Sequence, residues 1–183
     1  MYADIEKVLF SKEDIAARVA EIGAELDAKY GPLTADGQPV VVISILRGAA
    51  IFHADLIRAM TIPVEIDFMA TSSYGCSTVS CGEVTIKKDL DTNIEGRHGI
   101  MAEDGLDSGL TLGCLIEMLK LRKPASISVV AMLRKDNPDQ RPVPCEIIGF
   151  ECENEFLVGY GLDYAGRYRN LPFVGVLKCE VYS

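Results

Sequence analysis

Hydrophobic positions recur along the chain with two periods, and their order predicts an α/β fold. From Ser11 the apolar residues Ile15, Val19, Ile22 and Leu26 fall at helical spacing, and Gly31-Pro32 stops the pattern, so a surface helix is expected. Residues 40–46, Val-Val-Val-Ile-Ser-Ile-Leu, are β-branched and too uniformly apolar to alternate, which suits a strand buried on both faces of a parallel sheet. After Arg47-Gly48 a helical stretch carries Ile51, Phe52, Leu56 and Met60, and beyond Pro63 the residues Val64, Ile66 and Phe68 alternate as the next strand. Strand, helix and strand at this spacing form a βαβ unit.

From Thr71 to Gly82 the chain is mostly Ser, Thr, Cys and Gly, with Tyr74 and Val79 as its large residues, and a long mobile loop is expected. A strand over 83–88 flanks it, and Gly99-Ile-Met-Ala102 forms a short strand running into Glu103-Asp104. Leu110, Leu112, Leu115, Ile116 and Leu119 then mark a helix that closes near Pro124. Three further β-rich runs follow, at Ser126–Leu133, Glu146–Phe150 and Phe173–Leu177. The expected architecture is a mostly parallel central sheet with helices on both faces. No internal repeat or linker interrupts it.

Composition narrows the class. A chain of 183 residues with 49% hydrophobic content suits one domain spanning 1–183. Its net charge of −9 argues against a sequence-independent grip on nucleic acid. The N-terminus lacks the basic and apolar regions of a signal peptide, and no apolar stretch reaches membrane-spanning length, so no membrane partner is expected. The six cysteines, at 76, 81, 114, 145, 152 and 179, form no Cys-x-x-Cys pair, and His53 and His98 are the only histidines, which leaves a zinc site without support. Cys114, Cys145, Cys152 and Cys179 fall in or near regular elements, where free buried thiols are expected, in keeping with a reducing cytoplasm.

Residues 99–112 carry the chemistry. A small apolar strand ends in the adjacent acids Glu103 and Asp104, a turn brings Asp107, and Ser108-Gly109-Leu110-Thr111 opens a helix. In an open parallel sheet ligands bind beyond the carboxyl ends of strands, and a helix start offers unpaired N–H groups with a partial positive charge. Residues 107–111 therefore suit a phosphate monoester. The acids beside them do not suit phosphate alone. They suit a ribose diol, reached directly or through a metal, and a ribosyl ring that becomes cationic in a transition state. A solvated acidic loop with an N-cap at Ser108 or Asp107 fits the same spacing.

The run Glu103-Asp104-Gly-Leu-Asp107-Ser108-Gly109-Leu-Thr111-Leu resembles the phosphoribosyl pyrophosphate (PRPP) signature of the type I phosphoribosyltransferases. Leu46-Arg47-Gly48, Ser73-Tyr74, Lys135, Phe156-Leu-Val-Gly-Tyr-Gly-Leu-Asp163-Tyr164 and Arg169 follow in the order of the hypoxanthine-guanine branch. The resemblance covers about residues 5–180 and implies the type I phosphoribosyltransferase fold with a small hood and a mobile loop. It implies purine salvage: a 6-oxopurine and PRPP, with Mg²⁺, give the nucleoside monophosphate and pyrophosphate. By the same likeness Asp107 is the general base. Glu103, Asp104, Asp107, Ser108, Gly109, Leu110 and Thr111 hold PRPP, with Glu103, Asp104 and Asp163 toward metal. Arg47, Gly48, Ser73, Tyr74 and Arg169 attend the pyrophosphate, and Lys135, Phe156, Leu157 and Asp163 meet the purine. The enzyme implied is a cytoplasmic homo-oligomer, dimer or tetramer by analogy, without nucleic-acid partners.

Each assignment has a plainer counterpart: core for Phe156, a surface cation for Lys135, a structural charge for Arg169 and a loop aromatic for Tyr74. A xanthine-preferring enzyme and a PRPP-binding regulator without turnover share the same motif, although a regulator has no room here for a DNA-binding appendage. Three departures from the family pattern concern packing. Gly99, Ala102 and Gly105 stand where larger aliphatic residues are usual, which predicts lost packing along this strand and a looser turn before Asp107, unless neighbours refill the space. Arg47 stands in place of the usual Lys, and Ser108 in place of Thr.

Overall fold

A computed structural model describes residues 1–34, 37–73 and 84–183. In chain order the elements are β1 (Ile5–Phe10), α1 (Lys12–Tyr30), β2 (Val40–Leu46), α2 (Ala50–Ala59), β3 (Val64–Ser73), β4 (Val84–Lys88), β5 (His98–Leu106), α3 (Leu110–Lys120), β6 (Ser126–Lys135), β7 (Ile147–Cys152), β8 (Leu157–Val158), β9 (Val174–Leu177) and α4 (Cys179–Tyr182). Six strands form one sheet in the order β4-β3-β2-β5-β6-β7, parallel except for the β3–β4 pair at one edge. The chain winds from β2 through α2 outward to β3, and from β5 through α3 the other way to β6. The topological switch point therefore lies between the carboxyl ends of β2 and β5.

Alternation along the central strands sorts side chains into two layers. Val40 and Val42 of β2 pack with Ile15, Val19, Ile22 and Leu26 of α1 and with Phe52 and Leu56 of α2. Val41, Ile43 and Ile45 face the other way, onto Leu112, Leu115, Ile116 and Leu119 of α3. Because both faces of β2 are covered, apolar residues fill every position but Ser44, as the uniform run predicts. Helix α1 starts where its cap dictates: the Ser11 hydroxyl accepts the Asp14 N–H at 3.1 Å, and Asp14 Oδ2 accepts the Ser11 N–H at 2.9 Å.

Strand β3 corrects the alternation. Ile66 is exposed, whereas Asp67 and Met69 are buried. The Asp67 carboxylate accepts N–H bonds from Phe68, Asp91 and Thr92, so a buried acid fixes the edge of the sheet. The strand also runs on through residues 71–73, part of the expected loop. Tyr74 and the rest of that loop lie outside the described residues, Cys76 and Cys81 among them.

A second, three-stranded sheet, β1-β9-β8, packs over its own small cluster of Val158, Tyr168, Leu171 and Leu177. It forms the hood. Its strands are short, and β1 pairs with β9 across nearly the whole chain, which local periodicity does not reveal. Cys145, Cys152 and Cys179 are free, as expected, but the first two are only half-buried and Cys179 is exposed, and Cys114 is disulfide-bonded. A helical pattern reports which face of α3 is covered, not which sulfur stands opposite.

Candidate active site

At the switch point the β2–α2 turn meets the end of β5. Leu46 and Arg47, at the carboxyl end of β2, are joined by a cis peptide bond. Gly48 follows and is buried against Asp104: a Cβ there would lie 2.7 Å from Asp104 Cγ, inside van der Waals contact. Gly161 of the hood closes on the same point, packing onto the Gly48 carbonyl, with a φ of +102° that favours glycine. Arg47 itself is exposed.

Strand β5 is longer than the sequence suggests and carries both acids within its ladder, Glu103 beside Ala131 and Gly105 beside Leu133. Burial pushes the Glu103 carboxyl well above its usual range, and the neighbouring Asp104 charge adds to the effect. Burial also raises Asp104, with the Glu103 hydrogen bond and the Arg169 charge pulling it partly back. Two half-buried carboxylates held this way are short of positive charge. They suit a hard divalent cation such as Mg²⁺, which takes one or two carboxylates and completes its sphere with water and phosphate oxygens. Among the described residues no group of three or more candidate ligands is present.

Asp107 is exposed beyond β5, and Gly109, with φ +72°, caps α3 in place of the Ser108 or Asp107 cap that spacing also allows. A Cβ at Gly109 would lie 2.7 Å from Val143 and 2.9 Å from the Arg141 carbonyl, so only glycine fits. The first helical bond runs from Gly113 N–H to the Gly109 carbonyl, which leaves the Thr111 and Leu112 N–H groups without helical partners. They line a cleft of about 320 Å³ with residues 103–110, Arg47 and Gly48. A second chamber of about 200 Å³ is lined by Lys135, Phe156, Leu157, Leu162, Asp163 and Arg169. Asp104 borders both. A ligand with a phosphate end and a flat end would place its middle at this residue.

The second chamber is built by tight turns. Tyr160, Ala165 and Tyr168 all take positive φ, folding residues 159–169 back on themselves. Tyr160 is pinned to α2 through a 2.8 Å bond from its hydroxyl to Asp55. Arg169 Nη1 donates to the Gly161 carbonyl at 2.6 Å, and its Nη2 meets Asp163 at 2.5 Å. The Asp163 carboxylate therefore sits with a cation and also accepts the Gly166 N–H. Phe156 is half-buried, edge-on to Tyr164 and stacked on Tyr182 of α4. Lys135 ends β6 rather than following it, half-buried at the chamber wall.

Most of the residues singled out in sequence thus converge on two adjoining chambers, and Ser73 ends β3 while Tyr74 lies outside the described residues. The packing deficit expected from small residues is absent at Gly99, whereas Gly105 has room, its nearest neighbour being Leu162 Cδ2 at 3.9 Å from an added Cβ. At Gly99 a Cβ would meet Ile127 Cδ1 at 2.6 Å, so the isoleucine already fills the space, and Gly105 lies in strand rather than in a loosened turn. Ala102 is fully buried in the α1–α2 layer. Sequence reasoning missed Leu162, and with it Asn137 and Gln140, which reach the Asp107 segment from the loop after β6. No spacing signal marks those contacts, because they cross between loops.

A mostly parallel sheet with an acid pair at its switch point, a glycine-capped helix start beside it and a hood bordering a second chamber define the type I phosphoribosyltransferase fold. Comparison with known proteins agrees. The phosphoribosyl transferase domain family model matches residues 8–165. The hypoxanthine-guanine phosphoribosyltransferase of Bacillus subtilis (strain 168) is 51% identical over 183 residues, covering 100% of this chain and 99% of the relative. A solved hypoxanthine phosphoribosyltransferase from Staphylococcus aureus superposes with a TM-score of 0.92 at 43% identity, covering 100% of this chain and 97% of that one. One from Trypanosoma cruzi, a variant in a ternary substrates complex, has a TM-score of 0.92 at 38% identity and covers 100% of both chains. The chain belongs to the phosphoribosyltransferase family, in its hypoxanthine-guanine branch.

Proposed function

We propose that this chain, as a single phosphoribosyltransferase domain, transfers the 5-phosphoribosyl group of PRPP to N9 of hypoxanthine or guanine, with release of pyrophosphate. The observation that carries the reading is the position of Asp104, shared by a phosphate-suited cleft and a chamber lined by Lys135, Phe156, Asp163 and Arg169. The ribose bridges the two at that residue.

In this reading the unpaired N–H groups at the start of α3, with Ser108 and Thr111, hold the 5-phosphate. Glu103 and Asp104 accept from the ribose hydroxyls and hold Mg²⁺, which when bound neutralises pyrophosphate charge and lets both acids ionise. Lys135 donates to the purine 6-oxo group, which adenine lacks, Phe156 lies on the ring, and the Leu157 and Asp163 backbone meets its other edge. N9 attacks the anomeric carbon as the bond to pyrophosphate breaks. The Asp107 carboxylate takes the N7 proton, offsetting positive charge that grows on the purine. Gly48 and Arg47 backbone amides and the Arg169 guanidinium receive the leaving pyrophosphate, and Ser73 and Tyr74 are assigned to it by the family likeness. Asp163, paired with Arg169, would be the carboxylate to hold a second Mg²⁺, which would supply further positive charge for the pyrophosphate. By analogy with the family the enzyme is a cytoplasmic homo-oligomer; the free thiols at Cys145, Cys152 and Cys179 agree with a reducing setting and the disulfide at Cys114 runs against it.

The experiment is pyrophosphate release from Mg-PRPP with hypoxanthine, guanine, xanthine and adenine in turn. Turnover with the first two supports the reading. Turnover with xanthine alone, or with adenine alone, overturns the base assignment, and PRPP binding without turnover points to a regulator.

A further inference from the structure

We infer that Asn137 is a positioning residue for Asp107, and that residues 137–143 brace the PRPP loop from outside. The inference rests on the reading of Asp107 as general base. Asn137 Nδ2 donates to Asp107 Oδ1 at 2.7 Å. The amide cannot rotate away, because its own Oδ1 accepts the Asp139 N–H at 3.0 Å and the Asn137 carbonyl accepts the Gln140 N–H at 3.0 Å. Only the donor end of the amide is left for the carboxylate.

The same short loop grips the backbone on either side of the base. Gln140 Nε2 donates to the Asp107 carbonyl at 2.7 Å and to the Leu106 carbonyl at 3.3 Å. The Arg141 N–H donates to the Ser108 carbonyl at 2.9 Å. Val143 closes on Gly109, the helix cap, where no Cβ fits between them. Each residue from Leu106 to Gly109 is therefore held by the facing loop. Asp107 is exposed and projects from a turn, where a carboxylate would otherwise sample several rotamers.

The chemistry needs one carboxylate oxygen toward N7. A neutral amide that occupies Oδ1 fixes the carboxylate plane and leaves Oδ2 for the substrate proton, without adding a charge that competes for it. The loop begins two residues beyond Lys135, and the Asp136 N–H is anchored on the Cys152 carbonyl at 2.8 Å. The lysine proposed to read the 6-oxo group and the amide that aims the base thus share one rigid stem, the end of β6. Base recognition and proton removal are set in register by it.

The test is steady-state kinetics of Asn137→Ala, alone and combined with Asp107→Asn, with PRPP affinity measured by calorimetry and folding by thermal melting. We expect Asn137→Ala to lower kcat roughly tenfold, a part of the ~10²–10⁴ that a positioned base contributes. PRPP affinity is expected to stay within about twofold, because the phosphate groups remain in place. In the Asp107→Asn background the second substitution has no base to misalign, so kcat falls no further. Gln140→Ala, which loosens backbone rather than the carboxylate, is expected to weaken PRPP binding as well. An Asn137→Ala kcat within twofold of the unsubstituted chain overturns the role, as does a loss of the same size in both backgrounds, which marks a merely structural contact. If the unsubstituted chain turns over no base, the underlying functional reading fails instead.

Discussion

Gly48 and Asp104 are packed so closely that the strand end and the turn function as one unit: the Asp104 carboxylate lies where a Gly48 side chain would begin. The glycine is thus required by the acid. Its neighbours offer no relief, since Gly161 packs on the Gly48 carbonyl from the hood side.

Gly48→Ala should therefore displace Asp104 rather than simply crowd the turn. We predict a fall of at least about 10²-fold in kcat/KM for PRPP, the scale that a displacement of about 1 Å imposes. The melting point should fall by only a few degrees. Steady-state kinetics beside a thermal melt checks this, and activity within threefold of the parent enzyme contradicts it.

This relationship also marks the limit of what the sequence discloses. The strands around the site were legible, because β2 and β6 are buried and their apolar runs are unmistakable. Asp107 and Gly109 were legible for a different reason: acid, small residue and helix start follow one another in a single stretch. The junction of Gly48 with Asp104 joins two such stretches across a parallel ladder, and the brace from Asn137 to Asp107 joins two loops. Contacts of that kind leave no period in the chain. Ile66 and Asp67 illustrate the same limit, for the buried partner of the edge strand is the acid, held by three backbone N–H groups.

The acid pair stores instability. Glu103 has its folded pKa raised well above the model-peptide value of 4.5, by burial first and by Asp104 second. Above 4.5 the folded state thus binds more protons than the unfolded chain, and stability falls as pH rises toward the folded pKa. Glu103→Gln should remove that slope. We predict a gain on the order of 1 kcal/mol at neutral pH, about 2–4 °C in Tm for a chain of this size, together with loss of Mg-PRPP affinity. Melting across pH 5–8 without ligand tests it, and a Gln variant less stable than the parent throughout would sink the idea.

His53 acts in the opposite direction. It is buried on α2 with Nε2 donating to the Val42 carbonyl at 3.2 Å, and burial lowers its pKa below 6.5 although that bond opposes the shift. Below pH 6.5 the unfolded chain protonates first, so stability is whole above 6.5 and declines as pH falls toward the folded value. His53→Gln should flatten this acid-side decline. Denaturant titrations at pH 5, 6 and 7 would give a smaller stability change for the variant than for the parent. Parallel pH dependences for the two proteins would exclude the assignment.

The central claim is that residues 103–111 hold PRPP while Asp107 removes the purine proton. The most direct measurement is kcat for hypoxanthine with Asp107→Asn, set beside the PRPP dissociation constant of the same variant. The account predicts a kcat reduced by roughly 10²–10⁴, with the dissociation constant changed by less than about threefold. Equal losses in the two quantities would contradict it, since they would make Asp107 a binding residue and leave the reaction without its base.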